Sequence, residues 1–139
     1  MVTMPLAVRS EYYRGLLVLS RRDRIIDDRE REFLVRIGVI LDFDRRFCEA
    51  AIDALLSNPH VTGKPVVFSD KAVIECFFRD AIRVAHSDGY IHPLERHWLK
   101  IAALANGKPK QWIDATIRDV CKSKGKQDPA LPLEIQKYL

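Results

Sequence analysis

Asp23-Arg-Ile-Ile-Asp-Asp-Arg-Glu30 and Asp88-Gly-Tyr-Ile-His-Pro-Leu-Glu95 are the two stretches that decide the fold. They share the pattern Asp-x-x-Ile-x-x-x-Glu, and every matching position is separated by the same 65 residues. The match extends outward without a gap. Tyr12-Tyr13-Arg14 aligns with Phe77-Phe78-Arg79, Arg31 with Arg96, and Phe33-Leu34 with Trp98-Leu99. Phe47 aligns with Trp112, and Ala50 and Ile52 with Ala115 and Ile117. Self-similarity at one fixed spacing is the signature of a structural repeat. The repeat units span about residues 9–56 and 74–121, with a tail over 122–139.

Each unit reads as three helices. Ile74, Phe77, Phe78, Ala81, Ile82 and Ala85 recur at steps of three and four, which gathers them on one face of a helix. Leu94, Trp98, Ile101, Ala102 and Ala105 form a second stripe, and Ile113, Ile117, Val120 and Cys121 a third. Pro93 and Pro109 suit a first helical turn, and Asn106-Gly107 suits a helix stop. The first unit repeats this with Tyr12 to Leu19, then Phe33, Leu34, Ile37, Ile40 and Leu41, then Phe47, Ala51, Ile52, Leu55 and Leu56. Only Val66-Val67-Phe68 resembles a strand, and it is too short to count as one. Ser57 to Pro65 is the turn-rich connection. A lone three-helix unit buries little apolar surface, so the expectation is one all-α domain: two pseudo-symmetric three-helix units packed face to face. Leu131, Leu133, Ile135 and Leu139 of the tail are expected to dock back on that core.

Composition agrees with a globular chain. Of 139 residues, 47% are hydrophobic and 30% charged, which excludes a disordered or collagen-like protein. No apolar run reaches bilayer-spanning length, and the opening residues lack a secretory pattern, so the cytoplasm is the expected compartment. Net charge is only +4, short of a dedicated nucleic-acid binder. Cys48, Cys76 and Cys121 form no CxxC pair and read as buried reduced thiols.

The repeated acidic motif supports two accounts. In the first, Asp23 with Glu30, and Asp88 with Glu95, bring carboxylates to a tight helix junction where they converge on a divalent cation. Gly89 supplies the positive φ that such a turn needs. In the second, the acids cap the following helix: Asp27-x-x-Glu30 has capping-box spacing, and Ile26 and Ile91 plug the loop onto the core. An EF-hand is excluded. Counting back from Glu95 puts Val84 and His86 where calcium loops carry oxygen ligands, and Leu19 and Arg21 fall there in the first unit.

Ala85, Ser87, Asp88, Gly89, Ile91 and Glu95, followed by an amphipathic helix ending at Ala105-Asn106-Gly107, resemble the signature of the TerB-like (tellurite-resistance) family. With the internal repeat, the resemblance covers about residues 10–121. It implies an all-helical protein of two similar units. It further implies a place in tellurite or chemical-stress resistance, as a binding or scaffold module for a protein partner or a membrane-associated stress complex. One setting of such modules is beside a membrane-anchored DnaJ-type co-chaperone. Metal binding by the motif acids would fall to Asp88 and Glu95, with Asp23 and Glu30 as repeat mates. Arg24 departs from the pattern where glycine is expected, and Arg21 and Arg22 crowd Asp23.

The rival account is a metal-dependent enzyme using His86, Asp88, His92 and Glu95, with His97 nearby. Its spacing matches no zinc finger or HExxH helix, and no nucleophile motif accompanies it. Arg21-Arg22, Arg29 and Arg31 are interleaved with acids, Lys122, Lys124 and Lys126 read as a solvated tail, and Trp98 and Trp112 read as core. The function expected from sequence is therefore non-enzymatic.

Overall fold

The computed structural model describes residues 4–20, 26–57, 64–86, 89–122 and 133–139. Asp23 and Asp88 lie outside the described residues, as do Arg21, Arg22, Arg24, Ser87, Lys124, Lys126 and Leu131. The described chain is all-helical, with no strand among its residues. Its helices are α1 (Leu6–Ser20), α2 (Asp28–Ile40), α3 (Arg45–Ser57), α4 (Lys71–Ala85), α5 (Pro93–Ala105) and α6 (Lys110–Lys122). A 3-10 turn, Glu134–Tyr138, follows.

Both bounds of α4, α5 and α6 fall 65 residues after those of α1, α2 and α3. The helix stops follow the same rule. After α2, Asp42 adopts φ 73°; after α5, Gly107 adopts φ 79°. In each case the peptide N–H three residues past the helix turns back: Phe43 N to Gly38 O, and Lys108 N to Ala103 O, both 2.9 Å. These bonds satisfy carbonyls that a helix end leaves without partners.

α1 and α4 are the central helices. Ten residues of α4 are buried, including Phe77, Phe78 and Ile82, and the run Leu16 to Ser20 of α1 is wholly buried. Helices apolar on most faces must be surrounded, and these two are. α4 packs on α1, α2, α5, α6 and the C-terminal turn, while α1 packs on α2, α3, α4 and α5; α2 lies against α3, and α5 against α6. Exchanging α1 for α4, α2 for α5 and α3 for α6 maps this set of helix pairs onto itself. Where α1 and α4 meet, the Tyr12 and Phe77 rings are edge-to-face, with centroids 5.2 Å apart and an 88° interplanar angle. Gly15 is what admits Phe77: a Cβ there would lie 2.6 Å from the ring's Cζ and 2.9 Å from Val66 Cγ2.

Val66-Val67-Phe68 is extended but unpaired with any strand. Asn106 takes the place of a neighbouring strand: its amide donates to Val66 O at 2.8 Å and accepts from Phe68 N at 2.9 Å. One side chain at the end of α5 thus satisfies two backbone groups of the connection.

Several stripe residues do not reach the core. Phe47, Leu56, Leu94 and Ile101 are exposed, and Trp112 is only partly buried, with Lys108 Nζ 5.0 Å above its ring. The reason is geometric. α5 meets the core through Glu95, Trp98, Leu99, Ala102 and Ala103, a face too narrow to include every apolar residue on the helix. The tail docks through Leu133 and Ile135, both buried, while Leu139 remains exposed.

Candidate functional site

The two acidic junctions are built differently. At the first, Asp27 caps α2 by accepting from Glu30 N at 2.7 Å, the aspartate half of the expected capping box. At the second, the cap is His92, the position matching Asp27. Its Nδ1 accepts from Leu94 N at 3.1 Å, and Glu95 Oε1 accepts from His92 N at 3.0 Å. The complete box is therefore at α5, with an imidazole as acceptor, so its ring proton sits on Nε2. Pro93 opens α5, where the absent N–H costs nothing. Glu95 is 3% exposed, folded under the loop that Ile91 pins to the core.

This geometry bears directly on the cation expectation. Glu95 Oε1 is committed to a backbone N–H and its carboxylate is buried. Its proposed co-ligand Asp88, and the Asp23 of the first pair, are outside the described residues. No group of three or more His, Cys, Asp or Glu side chains able to hold a metal occurs among the described residues. His97 is exposed on α5, away from the His92 cap. Gly89 adopts φ 89°, the left-handed turn expected of it.

Beside the α5 junction lies a cleft of about 500 Å³ lined by His86, Gly89, Tyr90, Ile91, Pro93, Arg96, Ile117, Arg118 and Cys121. It is walled by the start of α5 and the end of α6. His86 Nδ1 is buried and has no hydrogen-bond partner in the described structure. Burial pushes the Cys121 thiol up, opposed by the nearby Arg96 guanidinium, so Cys121 is a weak nucleophile. Cys48 and Cys76 are buried, and burial raises both, Cys76 to about 11. Cys121, expected to be buried as well, is only partly so at the end of α6.

A second polar centre was not foreseen. Asp80 of α4 is fully buried. It accepts from Tyr12 Oη at 2.6 Å, Glu134 N at 2.8 Å and Ile135 N at 3.3 Å. Burial lifts its carboxyl to about 6, against the pull of these donors and of Arg83 at 3.9 Å. Tyr12 is raised as well, by burial first and then by the Asp80 charge. Asp80 thereby clamps the C-terminal turn, and Glu134 reinforces it through Arg79 at 3.4 Å and Arg83 at 3.5 Å. A sequence signal existed: Asp80 interrupts the apolar helix between Phe78 and Ala81, and its repeat mate is Gly15.

No protein-family model matches the chain, and no characterised protein or solved structure is significantly similar to it.

Proposed function

We propose that this chain is a non-enzymatic binding and scaffold module, made by duplicating a three-helix unit into a pseudo-symmetric pair, of the kind its TerB-like resemblance implies. The constant 65-residue spacing of helix bounds, helix stops and packed helix pairs supports the duplication. The binding reading is carried by the outer face of α5. Leu94, Ile101 and Leu104 project from it and are 53%, 43% and 60% exposed. Their spacings of seven and three place them on one side of the helix. The matching positions of α2 are Arg29, Arg36 and Val39, and Arg36 pairs there with Glu32 at 3.9 Å. Apolar side chains grouped on a surface mark an interaction site more often than scattered ones do. One copy keeps a solvated face where the other presents an apolar one, which fits recruitment of a cytoplasmic protein partner in a stress response.

Cross-linking and capture from native cytosol with the full chain, with Ile101→Glu/Leu104→Glu as control, tests this reading. A discrete partner retained by the wild type and lost by the double variant is the expected result. Equal capture by both forms refutes it. Sedimentation over a concentration range shows whether the partner is a second copy.

Divalent-cation capture by Asp88 with Glu95, and by Asp23 with Glu30, is the finer form of the proposal. It requires Glu95 to ligate through the oxygen not given to His92 N. Calorimetric titration with calcium, magnesium, manganese and zinc tests it: binding weakened in Glu95→Gln supports the site, and silence toward all four ions leaves the acids as caps. His92 and Glu95 both spend acceptor atoms on the helix end, so the geometry lends no support to the metal-dependent enzyme alternative.

A further inference from the structure

The two copies differ most sharply in charge where their second and third helices meet. In the first copy, Arg31 of α2 and Asp53 of α3 form an ion pair at 2.9 Å. Their positions 65 residues later are Arg96 and Arg118. The arginine is retained and its carboxylate partner has become a second arginine. Two guanidiniums thus line the cleft beside the α5 junction, with no carboxylate among its described lining residues. Two described acids of α6 are engaged elsewhere: Asp114 with Lys100 at 3.7 Å, and Asp119 with Arg79 at 2.9 Å; Asp88 lies outside the described residues. The same cleft contains His86, whose buried Nδ1 lacks a partner. Arg96 is partly buried and Arg118 exposed, so an anion entering the cleft would meet both guanidiniums and could satisfy the His86 nitrogen. Arginine forks suit phosphate oxygens in particular.

We propose that the cleft is an anion-binding site for a phosphomonoester carrying an apolar group. Arg96 and Arg118 hold the dianionic phosphate from two helices, and His86 completes its shell. Tyr90, Ile91 and Ile117 receive the apolar part. The first copy has no such site because Asp53 neutralises Arg31 internally.

Phenyl phosphate and inorganic phosphate, titrated calorimetrically into the full chain in low-salt buffer free of other oxyanions, are the probes. Phenyl phosphate is expected to bind at least tenfold tighter than inorganic phosphate, and Arg96→Gln or Arg118→Gln to weaken it tenfold or more. Arg118→Asp is the decisive variant. It recreates the Arg31–Asp53 pair of the first copy, so it should fold at least as stably as the wild type while losing phosphate binding altogether. Sedimentation with phosphatidylcholine vesicles, with and without phosphatidic acid, distinguishes a lipid headgroup from a free ligand. Wild type that ignores phenyl phosphate, inorganic phosphate and the vesicles alike overturns the proposal, as does Arg118→Asp that binds like wild type. The outcome is independent of the α5 outer face and of the cation titration, neither of which involves Arg118.

Discussion

Asp80 makes the stability of this protein depend on pH in an unusual direction. Its carboxyl, ordinarily near 3.8, is held at about 6 in the folded chain. The folded state therefore binds a proton more tightly than the unfolded state does, and between about pH 4 and pH 6 it carries more protons. Stability from this group then falls as pH rises through that window and is flat above it. The two values give a loss on the order of 1 kcal/mol between pH 5 and pH 7. In a chain of this size that lowers the melting temperature by about 3–5 °C. The ionised form at pH 7 costs about 3 kcal/mol against the protonated limit.

The perturbation that isolates the effect is Asp80→Asn. It keeps one oxygen for Glu134 N and turns an amide toward Tyr12 Oη, which can accept instead of donate, giving up the 3.3 Å bond from Ile135 N at every pH. Tyr12, Cys76, Arg83 and Glu134 all face this position and stay in place in the variant. The histidines are shared too, so the difference between the two proteins reports Asp80 alone. Thermal melts at pH 5 and pH 7 should show a wild-type excess on the order of 1 kcal/mol at pH 5 that the variant lacks. Glu32 and Glu134, both held below the usual carboxylate range, lose their contributions only below about pH 4.5 and do not enter this interval. Parallel pH profiles for wild type and Asp80→Asn would refute the buried-carboxylate reasoning. Asp80→Ala, by contrast, strands Tyr12 Oη and the Glu134 and Ile135 amides, at about 1–3 kcal/mol each while buried. The cheaper response is release of the tail, seen as lost hydrogen-exchange protection at Glu134 and Ile135.

Three further outcomes follow from the same geometry. Gly15→Val drives a side chain into Phe77 and Val66, and should cost about 2–4 kcal/mol in urea unfolding; a neutral result would mean that α1 and α4 are not so closely packed. Asp42→Gly, which copies the second unit's helix stop into the first, should gain about 0.5 kcal/mol because φ 73° no longer strains a side chain. Gly107→Ala should lose about 1 kcal/mol by the converse, and the pair is checked by the same unfolding curves. Glu95→Ala removes half of the α5 capping box and should lower stability by about 1 kcal/mol, read as a shift in the urea midpoint with unchanged slope.

Local rules made the helices legible. Apolar residues at steps of three and four, Pro93 at a helix start and Gly107 at a helix stop each depend on neighbours within one turn, and all appear where the sequence placed them. Burial of individual stripe residues was less legible, because it depends on how much of each helix the partner covers. Leu94 and Ile101 satisfy the periodicity yet face outward, since α5 is covered only along its Trp98–Ala102 side. Asp80 stands out in the sequence as an acid within an apolar helix, but the clamp it forms could not be read. Its donors come from residue 12 and residues 134–135, contacts that no spacing rule connects. Among the acidic motifs, both accounts drew on the same residues, and the structure reveals that His92, at the position matching Asp27, serves as the cap of α5.

Under the proposed duplication, the residues that differ between the two halves are therefore more informative than those that match. Identity at Arg31 and Arg96, or at Ile26 and Ile91, maintains a helix junction in both halves. Divergence at Gly15 and Asp80 falls where the central helices meet. Glycine on α1 opens room for Phe77, and the aspartate on α4 instead reaches Tyr12 and the tail. A strictly symmetric protein could not bind its single C-terminal segment on one side only. Once that asymmetry exists, the first copy retains ordinary pairings such as Arg31 with Asp53. The second presents an apolar outer face on α5 and, beside it, a cleft with two arginines and no carboxylate among its described lining residues. Under the proposed duplication, one half can hold the core while the other carries these surfaces.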